Sequence, residues 1–249
     1  NNIKYVKVED INFQTKWENI IKNIDCVIHC AGIAHIKNKS KNNLLNLYYS
    51  INIEGTKRLA EQAVKLGVRR LIFLSSIGVN GLSTRKFFSN SDIPNPTGDY
   101  AISKYEAEKV LIEISKNTGL EVVIIRSPLV YGKSNPGNFK RLIKLINLGI
   151  PLPLNNIKNK RSFIGIDNLV DLLIHCIDHP KASGKTFLAS DDRDLSTTEL
   201  IKFISSSMEK KVHLFSTPIF LLKFIGLVFN KREEVNKLVS SLRINDSFT

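Results

Sequence analysis

Residues 70–81 read RLIFLSSIGVNG, and residues 100–104 read YAISK. The first stretch opens on an apolar run rich in Leu, Ile and Phe and ends in small polar residues. A strand buried on both faces of a parallel sheet has that texture. The second stretch begins a helical pattern, Tyr100–Asn117, that stops near Gly119, a residue suited to a left-handed helix end. Working outward, strands are expected at Lys4–Val8, Cys26–Cys30, Arg70–Ser75 and Glu121–Arg126, and a helix over Leu44–Leu66 that stops at Gly67. Short apolar runs alternating with helical patterns are the mark of parallel strands joined by right-handed crossovers, so the fold class is α/β with a doubly wound parallel sheet.

After Tyr131-Gly132 the texture changes to loops with Pro136-Gly137 and Pro151-Leu-Pro153, separated by a helix-like stretch, Asn138–Leu148. A lobe boundary is expected there, with residues 1–133 forming the larger lobe and residues 134–249 mainly a smaller lobe that partly packs back on the sheet. Ser196-Thr-Thr-Glu199 has capping-box spacing and opens a helix to about Met208. Pro218–Phe229 is a dense apolar stretch of about a dozen residues, too short to span a bilayer, and is read as a packed helix in preference to a membrane-touching one.

A chain of 249 residues with 43% hydrophobic and 24% charged residues can bury a large core and is unlike a disordered chain. Its cysteines, Cys26, Cys30 and Cys176, are odd in number and show no CxxC spacing, which fits a reducing cytoplasm. No apolar run reaches the roughly 18 residues of a membrane span, and residues 1–10 lack the apolar centre of a signal peptide. The net charge of +13 is spread over scattered lysines and arginines without interleaved aromatics, so nucleic acid is not the expected partner. The five histidines, His29 among them, have no metal-ligand spacing; His29 reads as a satisfied strand residue and no metal is expected.

Chemistry concentrates at Tyr100 and Lys104, which follow the Ser75-Ser76 pair by 24 residues. Positions i and i+4 share a helix face, so the Lys104 ammonium is expected beside the Tyr100 hydroxyl, favouring its phenolate. A free tyrosine has a pKa near ~10 and needs such a cation to act as a base at neutral pH. Ser76, at the carboxyl end of its strand, lies where open α/β sheets bind ligands and would hold the substrate oxygen.

These segments, with DCVIHCAG and NIEGTKRLAEQAVKLGVRRLIFLSS upstream and RSPLVYG downstream, resemble the extended short-chain dehydrogenase/reductase family of nucleotide-sugar epimerases, dehydratases and reductases. The resemblance runs from Val6 to about Asn245 and implies a Rossmann-type fold binding NAD or NADP, with residues 1–133 as a dinucleotide-binding domain lacking its first βαβ segment and residues 134–249 mainly as a substrate-binding lobe. By position it implies Ser76, Tyr100 and Lys104 as catalytic residues, with Lys104 also orienting the cofactor ribose. It places Asp10, Cys30, Ala31, Gly32, Asn52, Tyr100, Lys104 and Pro128 along the cofactor, and Ser76, Asn138 and Arg161 along a nucleotide-linked sugar. Arginine suits a diphosphate because its planar fork donates two hydrogen bonds.

The sequence also departs from that family. No GxGxxG or GxxGxxG occurs in the 249 residues, so the opening resembles a third strand and an N-terminal segment of about 50 residues is expected to precede it by family analogy. Ile77 and Gly78 stand where sugar dehydratases carry an Asp-Glu pair, which argues against dehydration, and Leu129 replaces a substrate-binding asparagine. The expected function is redox chemistry at C4 of a nucleoside-diphosphate hexose, with epimerisation ranked ahead of reduction of a 4-keto sugar and ahead of a non-catalytic dinucleotide sensor. A homodimer is compatible with this reading.

Overall fold

A computed structural model of the chain describes residues 3–34, 41–132 and 138–245, the side chains of Lys41, Asn42 and Asn138 excepted. The strands are β1 (Cys26–His29), β2 (Arg70–Ser76), β3 (Phe87–Phe88), β4 (Glu121–Ser127), β5 (Leu129–Tyr131), β6 (Phe163–Gly165), β7 (Thr186–Leu188) and β8 (Arg243–Ile244). The helices are α1 (Glu18–Ile21), α2 (Lys41–Leu47), α3 (Gly55–Lys65), α4 (Asp99–Thr118), α5 (Asn138–Asn147), α6 (Ile166–Asp178), α7 (Thr197–Ser207), α8 (Ile219–Val228) and α9 (Arg232–Val239). Strands β1, β2, β4 and β7 form one parallel sheet in that order, the doubly wound α/β arrangement expected from the alternation. The β2–β4 ladder runs from Arg70 opposite Glu121 to Ser76 opposite Ser127, which sets Ser76 at the carboxyl edge.

One expected strand is absent. Lys4–Val8 pairs with no strand among the described residues, and Ile3, Tyr5 and Val6 are 74%, 90% and 46% exposed. Apolar β-branched residues favour a strand only where a neighbouring ladder satisfies the backbone, and none lies alongside. The segment is instead tied down just beyond, where Gln62 accepts from the Trp17 N–H at 2.7 Å and donates to the Thr15 carbonyl at 2.8 Å.

The helix expected over Leu44–Leu66 forms in three pieces, α2, a π-helical stretch Tyr48–Glu54, and α3. The wide turn carries the buried Asn52, and π-turns inside helices often mark functional positions. Gly55 follows at a point where a Cβ would stand 2.7 Å from Ile11 Cγ2, so the close approach of the N-terminal segment requires glycine. Helix α4 ends as expected at Gly119, left-handed with φ 75°.

The chain divides into two compact units. The first comprises residues 1–81, 90–127 and 170–188 and holds the four-stranded sheet. Its core gathers Trp17, Leu59, Leu71, Phe73, Leu111 and Val122 between the sheet and helices α3 and α4. Arg70, 2% exposed, lies inside this unit, paired with Glu121 at 2.6 Å and donating to the carbonyls of Cys176, Ile177 and His179.

The second unit comprises residues 82–89, 128–169 and 189–249, and contains the pairs β5–β6 and β3–β8. Its core is built on Ile146, Leu152, Leu154, Ile157, Ile201 and Leu222. The Ser196–Glu199 capping box forms at α7 as its spacing requires. Helix α8 departs from the packed helix expected of Pro218–Phe229, because Leu222 and Gly226 alone are buried in it. Gly226 lets α9 approach so closely that a Cβ there would meet Val235 Cγ2 at 2.7 Å, and the hairpin covers that one stripe while the remaining apolar side chains face outward.

Candidate active site

Three sequence-selected residues come together in the first unit. Ser76 ends β2, and its Oγ accepts the Gly78 N–H at 3.1 Å, which starts a short 3-10 turn over Ile77–Val79. Its hydroxyl is also hydrogen-bonded to Tyr100, in the first turn of α4. Lys104, one turn further along α4, is 4% exposed, and its Nζ lies 3.9 Å from the centroid of the Phe73 ring. Burial pushes the Lys104 ammonium down to about 8, against the opposing pull of Glu108 and Cys30.

The Tyr100 hydroxyl differs from its sequence-based expectation. Burial raises it above its ordinary value, and the Ser76 hydrogen bond opposes that rise. The Lys104 ammonium lies over the Phe73 ring face.

The strand-end segment Cys30-Ala31-Gly32 follows β1 and is fixed by Asn52. Asn52 Oδ1 accepts the Ile33 N–H at 2.8 Å, and its Nδ2 donates to the Ile33 carbonyl at 3.1 Å and to Ser103 Oγ at 2.9 Å. Ser103 in turn donates to the Tyr100 carbonyl at 2.8 Å, so one buried amide links the segment to the first turn of α4. A Cβ on Gly32 would stand 3.1 Å from Asn52 Oδ1 and 3.8 Å from Lys104 Nζ, which keeps this wall of the site free of side-chain bulk. His29 is satisfied as expected, at 2.9 Å from Thr56 Oγ1, and burial with the nearby Lys104 charge pushes it down to about 4.

A further cluster escaped sequence reading. Glu108, 1% exposed and one turn beyond Lys104, accepts from Ser75 Oγ at 2.5 Å and from Arg126 Nε and Nη2 at 3.0 and 2.6 Å. Arg126 Nη1 reaches Asn80 Oδ1 at 3.0 Å. The network clamps α4 to the ends of β2 and β4 directly beneath Ser76. Its one sequence signal was the spacing Tyr100, Lys104, Glu108, a single helix face carrying three polar groups.

The other selected residues fall on other segments of the chain. Asp10 is exposed, in irregular backbone where its carbonyl accepts from Thr15 Oγ1 at 2.8 Å. Pro128, directly after β4, is buried. In the second unit, Asn138 opens α5 and its side chain lies outside the described residues. Arg161 Nη1 donates to the carbonyls of Lys237 and Ser240 at 3.1 and 3.2 Å, at the end of α9, where a cation complements the helix dipole. Tyr131 donates to Asp191 Oδ2 at 2.6 Å, which pushes its hydroxyl up to about 12. No group of three His, Cys, Asp or Glu suited to a metal occurs among the described residues.

A parallel sheet flanked by helices, with its polar groups gathered at the carboxyl ends of the strands, is the Rossmann-type architecture. The sequence profile of the NAD dependent epimerase/dehydratase family matches residues 4–189, and the chain belongs to that family of NAD-dependent enzymes. It is 43% identical over 98% of its length to a UDP-glucose 4-epimerase of Vibrio cholerae, covering 75% of that protein. It is 26% identical over 96% of its length to an N-acetyl-alpha-D-glucosaminyl-diphospho-ditrans,octacis-undecaprenol 4-epimerase of Escherichia coli O157:H7, covering 72% of it. A UDP-glucuronic acid 4-epimerase of Bacillus cereus, solved with NAD, shares the fold with a TM-score of 0.77 at 21% identity, across 96% of this chain and 71% of that one.

Proposed function

We propose that the protein interconverts C4 epimers of a hexose carried on a nucleoside diphosphate. The observation that carries the proposal is the hydrogen-bonded Ser76–Tyr100 pair one helical turn from the buried ammonium of Lys104. NAD, when bound, supplies the hydride acceptor and donor at C4. The unencumbered wall at Gly32 and the buried ammonium beside it suit the ribose and nicotinamide end of that cofactor. Tyr100 exchanges the proton of the C4 oxygen, Ser76 holds that oxygen while it is a ketone, and Lys104 carries positive charge at neutral pH because its pKa stays near 8. Arg161 retains donors beyond the Nη1 already used, enough for a diphosphate oxygen.

The replacement of an acid–base pair by Ile77, 6% exposed, and Gly78 leaves no carboxylate next to Ser76 in sequence to remove water from the sugar. Among 4-epimerases, a nucleotide carrier is preferred to a lipid one because the relative named for UDP-glucose is 43% identical and the one named for a lipid diphosphate is 26% identical. The test is incubation of the full-length protein and NAD with UDP-glucose or UDP-N-acetylglucosamine, read by NMR of the sugar. A C4 epimer forming without net consumption of cofactor is expected. Stoichiometric oxidation of reduced cofactor by a 4-keto sugar, or binding without turnover, would replace the proposal with a reductase or a sensor.

A further inference from the structure

Helix α8 reads IFLLKFIGLV from Ile219 to Val228, with Lys223 its single charged residue. At about 1.5 Å per residue, ten residues reach roughly 15 Å, half of a bilayer's hydrocarbon core, and no helix among the described residues is long and apolar enough to cross a membrane. The buried stripe is Leu222 and Gly226, one turn apart. On the opposite side stand Phe220, Phe224, Leu227 and Val228, exposed by 74%, 60%, 60% and 62%, and Phe229 at the helix end is 69% exposed. Apolar patches of this kind on a folded surface mark contact sites, since isolated exposed side chains are ordinary and a contiguous aromatic face is not.

Charge indicates what the face meets. From Lys210 to Arg232 the sequence has no Asp or Glu, and five exposed cations, Lys210, Lys211, Lys223, Lys231 and Arg232, bracket the apolar face, with Glu209 just before the run, Glu233 and Glu234 just after it, and Lys231 paired with Glu234 at 3.3 Å. The unit that carries α8 has eighteen lysines and arginines against nine aspartates and glutamates, and the sheet-bearing unit, although longer, has eighteen against fourteen. The excess positive charge is thus concentrated in the unit with the exposed apolar helix. Aromatic and aliphatic residues on one side and cations on the flanks are the requirements of a helix lying in the plane of an anionic bilayer surface. A second copy of the chain would bring the same cations against themselves.

We propose that α8 seats this protein peripherally on an anionic phospholipid surface, with Phe220, Phe224, Leu227 and Val228 in the headgroup–acyl boundary and Lys223 and Arg232 at the phosphates. The proposal goes beyond the epimerase reading and does not depend on it. The test is flotation of the full-length protein with vesicles of phosphatidylcholine alone or mixed with phosphatidylglycerol. Co-flotation with the mixed vesicles is expected, weakened by salt. The Phe220→Ser/Phe224→Ser variant should lose about tenfold or more in partitioning, and Lys223→Glu should lose less, with thermal unfolding and turnover unchanged in both. No co-flotation of the wild type overturns the proposal. So does a dimer in sedimentation that the double serine variant dissociates, since a second copy then covers the face. Wild-type partitioning by the double serine variant overturns it as well, because the lipid contact then lies elsewhere.

Discussion

Helices α4 and α8 invert the ordinary relation between polarity and burial. Helix α4 holds a lysine and a glutamate, Lys104 and Glu108, at 4% and 1% exposure, whereas α8 holds Phe220 and Phe224 at 74% and 60%. The buried charges of α4 are tolerated because each has a partner: Lys104 the Phe73 ring, Glu108 the guanidinium of Arg126 and the hydroxyl of Ser75. The exposed rings of α8 reflect a hairpin that covers one stripe only. A helix's own composition therefore states what it must satisfy, and its neighbours decide whether that happens inside the protein or outside it.

The contrast is broken most severely on the α4 side. Glu108→Ala leaves the 6%-exposed Arg126 without its carboxylate and should destabilise the fold by about 3–5 kcal/mol in urea unfolding. Glu108→Ala combined with Arg126→Met should recover most of that loss, because the uncompensated charge is then gone. Equal losses in the single and double variants would show that packing, not charge pairing, holds Glu108.

Next in size is Tyr100→Phe, which keeps the ring and removes the proton. Turnover should fall on the order of a hundredfold or more while substrate binding stays close to that of the wild type. Turnover near the wild-type level would remove Tyr100 from the chemistry. A smaller effect is expected of Arg161→Ala, a rise in KM of roughly ten- to a hundredfold with less change in kcat, since a diphosphate contact is made equally in ground and transition states. Arg161→Lys should restore only part, lacking the planar fork. A fall in melting temperature with KM unchanged would confine Arg161 to the carbonyls at the end of α9.

The smallest effect sharpens the contrast within α8 itself. Phe224→Ser should change unfolding free energy by no more than about 0.5 kcal/mol, as exposed positions do, whereas Leu222→Ala, at 7% exposure, should cost about 2–5 kcal/mol. Comparable losses at both positions would mean that Phe224 is covered in the folded protein and that the helix faces inward on both sides.

Much of the secondary structure was legible in the residues. The apolar runs at Cys26–His29, Arg70–Ser76 and Glu121–Ser127 became strands, and Gly119 and the Ser196–Glu199 box ended and began helices where their chemistry predicts. The Lys4–Val8 run has the same texture and formed no strand, because a strand needs a partner and a run of residues cannot report one. The i, i+4 spacing placed Lys104 one turn from Tyr100, but not where its ammonium points, and the tyrosine hydroxyl is raised by burial where the spacing suggested that it would be lowered.

The sequence by itself determined the alternation of strand and helix, the helix ends, and the polar face Tyr100, Lys104, Glu108, since each depends on neighbours within a few positions along the chain. Tertiary structure alone decided that Arg126, 18 residues from Glu108, and Ser75, 33 residues from it, converge on one carboxylate. It likewise decided that Asn52 links the segment after β1 to α4, and that an apolar helix shows its rings to the outside. Desolvation and hydrogen-bond partners come from residues distant in sequence, so burial and charge balance exist only after the sheet has brought those residues together.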